Sequence, residues 1–250
     1  GTKVFQNYSP VDMVSAINQI SGVYILSGAL NTNRITIRGV GARTLFGTDK
    51  LRLYYNDIPI TNGSGFSTIE SFDLENLSSV EVIKGPKATN YGANLGGAIL
   101  LNSKQPTNES TYFRNNFTVG SYSLVKNNLQ FSLKENKVAL NFHYGFLETD
   151  GYRENNRFKR EGLLLDMNYQ ITPKTNIGLL FNHVDYNAQI PSSLGETDFR
   201  ENPTKAAFTW KSAKGYEDNK YSLAGLTLNH AFSVKISNTT SIFYSYLDHY

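Results

Sequence analysis

The chain has 250 residues and not one cysteine. That excludes a disulfide framework, a thiolate nucleophile and any cysteine-ligated metal, while leaving the redox compartment open. Long apolar runs are also missing: nothing approaches the roughly 18 consecutive apolar residues of a membrane helix. The opening Gly1-Thr2-Lys3 lacks the apolar core of a signal peptide. Neither absence excludes a membrane, because barrel strands alternate their faces and leave only a weak hydropathy trace. Charge of one sign is scarce, with 24 Lys and Arg against 21 Asp and Glu and a formal net charge of +3. Such a balance tolerates an anionic ligand but gives no footprint for nucleic acid, and no basic run supplies one.

Reactive constellations are equally thin. His143, His183, His230 and His249 fall on four different predicted strands without a partner at helical spacing, so no metal cluster is expected. Gly39-Val40-Gly41 follows a strand as a dinucleotide loop would, but a third glycine and a following helical pattern are both missing. Ser64, between Gly63 and Gly65, lacks the strand–turn–helix setting of a nucleophile elbow. The sequence predicts no enzyme and no resident cofactor.

What is present comes in two textures. Up to about residue 104, helix and strand patterns intermix, which predicts a compact α+β unit. Ser9 reads as an N-cap with Pro10 at the first helical position, and Val11, Val14, Ile17 and Ile20 form an apolar face that Gly22 ends. Val23-Tyr24-Ile25 reads as a strand, Gly28 to Asn33 as a loop, and Arg34 to Arg38 as a strand with Ile35 and Ile37 inward. Leu51 to Tyr55 and a short return from Ile58 to Thr61 flank a hairpin turn at Asn56-Asp57. A short helix is expected around Phe72 to Leu77. From Ser79 to Lys104 two strands surround a Gly-rich corner: Gly85-Pro86 stops the first, Tyr91-Gly92 and Gly96-Gly97 bracket a turn, and Ala98 to Leu101 is buried.

From Tyr112 the pattern becomes segments of about ten alternating residues separated by polar turns, the signature of a barrel. Strands are predicted at Tyr112 to Val119, Ser123 to Lys134, Val138 to Leu147, Gly162 to Thr172, Asn176 to Tyr186, Tyr221 to Ile236 and Thr240 to Tyr250. Val138, Leu140, Phe142, Leu165 and Met167 are expected to face lipid, with Leu140 near the midplane. Asn141, His143, Asp166 and Asn168 would then face a wet interior. A soluble β-sandwich would alternate in the same way with the opposite sense. Link lengths favour the barrel: most links are short, whereas Glu148 to Glu161 and Asn187 to Lys220 are long, as on the outer rim of an outer-membrane barrel. The 16 Tyr and 15 Phe suit its aromatic girdles.

The stretch from Ser79 to Lys104 closely resembles the end of the plug domain of TonB-dependent outer-membrane receptors. Lys84-Gly85-Pro86, Tyr91-Gly92, Gly96-Gly97 and Lys104 stand in that family's order. Ile35-Thr36-Ile37-Arg38-Gly39 and Leu53-Tyr54-Tyr55-Asn56-Asp57-Ile58-Pro59 are similar to two upstream landmarks, the second carrying Asn56-Asp57 where the family usually has Asp-Gly. The resemblance implies an α+β plug over residues 1–107, then part of an antiparallel transmembrane β-barrel over residues 108–250, in the bacterial outer membrane. Seven strands cannot close the family's barrel of about 22, so a fragment of a larger barrel is expected.

The resemblance also implies a function: TonB-energised uptake of a metal chelate, a ferric siderophore or ferric citrate, with the chelated Fe3+ as cargo. The TonB energy-coupling complex would grip a segment upstream of this chain, and outer-membrane lipid would surround a monomeric barrel. Arg38 and Lys84 would be plug–barrel contacts, pairing with barrel glutamates beyond Tyr250, the alternative being two solvated strand-end cations. Lys84 stands where Arg is commoner, which keeps the charge and weakens two-point geometry. Substrate-binding candidates are Arg43, Thr44, Leu45 and Phe46 on one plug loop and Asn62, Ser64, Gly65 and Phe66 on another, set against ordinary loop packing. Pro203 to Trp210 and Lys214 to Asp218, within the long link, are similar to ferric-citrate-type receptors. The rival readings are a SusC-like glycan or peptide importer, which usually has Lys-Asp-Ala in place of Lys84-Gly85-Pro86, and a surface signalling or adhesion receptor.

Overall fold

In the computed structural model, which describes residues 11, 13–30, 32–42, 50–61, 69–92, 96–106 and 109–250, an N-terminal α+β unit packs onto one face of a seven-stranded sheet. Among the described residues the first unit opens with a single helical turn, α1 (Val14–Ile17), and an antiparallel pair, β1 (Val23–Ala29) with β2 (Thr32–Ile37). Strands β3 (Leu51–Tyr55), β4 (Ile58–Pro59), β5 (Leu77–Lys84) and β6 (Gly97–Ser103) make a mixed sheet in the order β4-β3-β6-β5. β6 runs parallel to β3 and antiparallel to β5. The turn after β3 falls at Asn56-Asp57 as expected, with Asn56 at a φ of +50° that asparagine tolerates. Ile25, Ile35, Ile37, Leu51, Leu53, Ile99 and Leu101 fill the core, and Tyr55 stacks on Phe72 with ring centroids 4.3 Å apart.

Gly97 is needed for two reasons. Its φ is +140°, and a Cβ there would lie 2.2 Å from the Ile83 carbonyl oxygen on the neighbouring strand. Gly97→Ala is therefore expected to cost about 1–3 kcal/mol by forcing strained backbone apart, seen as a lower unfolding midpoint of the intact protein.

Several expected elements are shorter or differently built. The described helix is four residues long, and the Ser9-Pro10 cap lies outside the described residues. Asn18 ends it: its side chain accepts from the Ile25 amide at 2.6 Å and donates to the Ile25 carbonyl at 3.1 Å, tying the chain to β1. The expected loop at Gly28–Asn33 is mostly ladder, because β1 continues to Ala29 through a bulge and β2 resumes at Thr32. Instead of a helix over Phe72–Leu77, two 3-10 turns, Ile69–Ser71 and Leu74–Asn76, lead straight into β5. The Gly-rich corner after Lys84 is likewise a 3-10 turn, Gly85–Tyr91.

The seven expected strands of the second half are all present. They are β7 (Ser110–Gly120), β8 (Leu124–Glu135), β9 (Val138–Thr149), β10 (Phe158–Thr172), β11 (Thr175–Gln189), β12 (Tyr216–Ala231) and β13 (Ser237–His249). Each pairs antiparallel with its sequence neighbour, giving an uninterrupted meander. β12 stops at Ala231 rather than Ile236, because the Ser233 hydroxyl accepts from the Lys235 and Ile236 amides and closes a turn. The long links shrink to residues 150–157 and 190–215, the latter carrying α2 (Glu196–Glu201) and α3 (Phe208–Ala213).

The sense of alternation is the expected one. Asn141, His143 and Asp166 are buried toward the N-terminal unit, while Val138, Leu140, Phe142, Leu165 and Met167 lie on the other face. Two details differ. Leu140 is the third residue of β9, beside a short turn, whereas Leu165 is central in β10. The inner wall is also not wet throughout, because Leu164, Leu180, Tyr221 and Leu223 merge into the core of the N-terminal unit.

Candidate functional site

The chemistry of this chain is concentrated where the two units meet. The turn region Ile69–Asn76 lies against the inner face of β8 to β11. Asp73 forms an ion pair with Arg160 of β10, and Glu75 forms one with Lys126 of β8. The Asn182 amide of β11 donates to the Ser71 carbonyl at 3.0 Å. The side chains of Asp73 and Arg160 are 17% and 10% exposed, so the pair is largely out of water. Burial alone would push the Asp73 carboxyl up, but Arg160 and Lys126 outweigh it and hold the group below its ordinary range.

Two glycines shape the wall around Asp73. Gly145 of β9 and Gly162 of β10 are cross-strand partners. A Cβ at Gly145 would lie 2.9 Å from Asp73 Oδ2, and one at Gly162 would lie 3.7 Å from it. The pair leaves a notch in the wall that a side chain on β9 would close. His143, two residues from Gly145 on the same face, is 2% exposed, and among the described residues neither ring nitrogen has a hydrogen-bond partner.

A second polar contact lies nearer the short turns. Asp166 of β10 accepts from Gln105 Nε2 at 2.7 Å and from Asn56 Nδ2 at 3.5 Å. Asn56 in turn accepts from the Ser103 amide at 2.9 Å, which fixes the Asn56-Asp57 turn to the end of β6. Asp57, Asn168, Thr227 and Asn229 continue this cluster as the lining of a small polar cleft between turn and wall. Burial pushes the nearby Tyr55 phenol well above its ordinary range, and Asp166 adds to the effect, so Tyr55 stays protonated.

At the opposite rim the two long links are folded on one another. The Arg153 guanidinium donates to the carbonyls of Ser192 at 2.7 Å and Lys205 at 2.8 Å. Glu154 binds Lys211 at 2.8 Å, and Asn155 donates to the carbonyls of Ile190 and Gly215, each at 2.9 Å. Residues 190–215 thus form an ordered cap.

Of the residues singled out from sequence, Arg38 and Lys84 are described. Arg38 has a φ of +51° and its amide donates to the Gly22 carbonyl at 2.8 Å. Lys84 Nζ donates to the Ser21 carbonyl. Lys84 thus ties the end of β5 to the turn before β1, and among the described residues no carboxylate lies within ion-pair distance of Arg38 or Lys84. Arg43, Thr44, Leu45, Phe46, Asn62, Ser64, Gly65 and Phe66 lie outside the described residues. No group of three or more His, Cys, Asp or Glu side chains suited to a metal ion occurs among the described residues. Asp73, Glu75, Lys126 and Arg160 were not singled out from sequence. Their signal was the isolated Gly145 and Gly162 inside strands, which mark close approach by another part of the chain.

An α+β unit seated by ion pairs on the inner face of an outward-apolar meander defines a class, the plugged outer-membrane barrel. Residues 2–99 match the family model described as the TonB-dependent Receptor Plug Domain, and plug and wall together have the fold of a fragment of such a receptor. Its fold is similar to that of the ferric citrate transporter FecA in the unliganded form, with TM-score 0.77 and 16% identity over 95% of this chain and 37% of that one. The copper transporter OprC gives TM-score 0.73 and 17% identity over 96% of this chain and 36% of that one. The ferric-catecholate import receptor Fiu from E. coli K12, in its open form, gives TM-score 0.73 and 18% identity over 99% of this chain and 38% of that one. The chain therefore spans a little over a third of the length of each. These relatives are transporters and receptors rather than enzymes, and the class places the chain in the bacterial outer membrane.

Proposed function

We propose that the chain is the plug and first wall strands of a TonB-energised importer of a metal chelate, a ferric siderophore or ferric citrate. The observation that carries this reading is the plug itself: a folded domain held by buried ion pairs against the inner wall, beneath an ordered outer cap. A domain seated there blocks passive flow, so passage of a solute requires it to rearrange, and TonB acting on an upstream segment would supply that work. The metals carried by the similar proteins, as ferric citrate, copper and ferric catecholate, support a metal or metal-chelate cargo. Chelated Fe3+ is cargo, no bond is made or broken, and no resident cofactor, nucleic acid or second subunit takes part.

Within this reading Arg43, with Thr44 and Phe46, and Asn62, Ser64 and Phe66 meet the substrate from the two plug loops, and Arg38 and Lys84 are plug–barrel contacts. Arg43 is the cation for an anionic chelate. A partly desolvated guanidinium contributes roughly 1.5–3 kcal/mol through charge-assisted hydrogen bonds. Arg43→Ala is therefore expected to weaken equilibrium binding of a radiolabelled ferric chelate to the full-length receptor about tenfold to a hundredfold, with assembly intact. Arg43→Lys recovers part of that loss if charge dominates and little if a planar two-point contact is required. Unchanged affinity in both variants would remove Arg43 from the site and shift attention to Phe66 or the 190–215 cap.

A further inference from the structure

Plug and wall are not joined evenly. Leu30 at the β1–β2 tip and Val11 ahead of α1 reach the wall through apolar contacts, packing against the cluster of Leu147, Phe158, Val184, Tyr186 and Ala188. Such contacts are non-directional and can slide. The Ile69–Asn76 segment is held differently. Asp73 enters the notch left by the paired Gly145 and Gly162, Arg160 holds its carboxylate, Lys126 holds Glu75, and Asn182 holds the Ser71 carbonyl. These contacts come from all four strands β8 to β11, and the charges run from wall cation to plug carboxylate. Phe72, between these points, is locked by its stack on Tyr55 in the plug core.

We propose that this notch is a stationary anchorage: the Ile69–Asn76 segment stays docked on β8 to β11 during transport, and the substrate path opens along another side of the plug. The inference rests on the importer reading above. Its physical basis is the difference in what displacement costs. Sliding an apolar tip across an apolar wall exchanges similar contacts, whereas withdrawing Asp73 strips a carboxylate from a guanidinium that water does not replace. The notch also fixes position, because a Cβ at Gly145 would crowd the carboxylate, which fits there only while that residue lacks a side chain.

The experiment uses the full-length receptor in cells, with Asp73→Cys and Gly145→Cys combined in a chain that otherwise has no cysteine over these 250 residues. Oxidation bonds the segment to the wall, and uptake of radiolabelled ferric chelate is compared with that of the same cells after reduction. Anchorage predicts uptake within about twofold of the reduced state. Uptake lost on oxidation and restored by reduction would mean that the segment must leave the wall, and would overturn the proposal. A second arm does not depend on transport. Asp73→Arg and Arg160→Asp singly should expose the plug of the purified receptor to protease at least tenfold faster, and the two together should restore most of the protection. A double variant no better protected than the singles would equally overturn the anchorage. Wild-type cells that take up no ferric chelate would count against the importer reading alone, and the second arm would still decide the anchorage.

Discussion

Asp73→Ala is expected to destabilise the seating of the plug by about 3–5 kcal/mol, the cost of removing one partner from a buried ion pair. The size follows from what remains. Arg160 is 10% exposed in its side chain and sits on the inner wall, where the substitution removes the carboxylate that pairs with it. Asp73→Asn keeps the shape and a hydrogen-bonding oxygen, so it should lose less. A wall-side change, Gly145→Val, should reproduce part of the defect by filling the notch from the other side. The readout is the midpoint of plug release or unfolding in the purified full-length protein. The same pair gives a pH dependence with a definite sign. Asp73 has a folded-state pKa below its ordinary value of 3.8, so its stabilisation is complete above that value and is lost as pH falls through the lower folded pKa. In Asp73→Asn this acid-side loss should vanish, and an unchanged acid profile would show that Asp73 is not ionised in the folded protein.

Leu165→Arg is expected to cost about 2–4 kcal/mol in the membrane, while the same change at Leu140 should cost about 0–1 kcal/mol. Leu165 is central in β10 on the face turned away from the plug, flanked in the sheet by Phe142 and Phe181. A guanidinium there meets hydrocarbon. Leu140 lies beside a short turn, close enough to the rim for a long side chain to reach the interface. Its neighbour on the other face of β10 gives the control. Leu164 is 2% exposed in the plug core, so Leu164→Ala should loosen the plug by about 2–5 kcal/mol while leaving insertion of the wall intact. The measurement is equilibrium folding of the full-length barrel into lipid vesicles. Equal effects of arginine at positions 140 and 165 would contradict a lipid-facing outer surface.

The wall was legible in sequence because a strand with two different environments must alternate, and that period is clear in β8 to β11. Alternation does not say what lies against the polar face. The expectation of a wet interior missed that Leu164 and Leu180 interrupt the polar set to meet the plug, since a single apolar residue on an inner face looks like noise along one strand. Within the plug, β3 and its Asn56 turn were legible from local chemistry, because only a few residues tolerate the left-handed conformation the turn needs. The helix expected from Ser9 ends at Ile17, short of Gly22, because Asn18 spends its side chain on β1, a contact no periodicity reveals; its Ser9-Pro10 start lies outside the described residues. The anchorage was invisible for a related reason. Asp73 and Arg160 are 87 residues apart, and each alone reads as an ordinary solvated charge. Only Gly145 and Gly162, small residues where the pattern asks for large ones, hinted at a neighbour.

The account stands or falls on energised uptake. Cells carrying the full-length receptor as their only route for ferric chelates should accumulate radiolabelled iron from ferric citrate or a ferric catecholate, and should stop when the proton-motive force is collapsed or TonB is absent. Surface binding of the chelate should persist in those arrested cells, because binding precedes the energised step. Accumulation that continues without TonB and proton-motive force, or surface binding of ferric chelates that never leads to accumulation in energised cells, would contradict it.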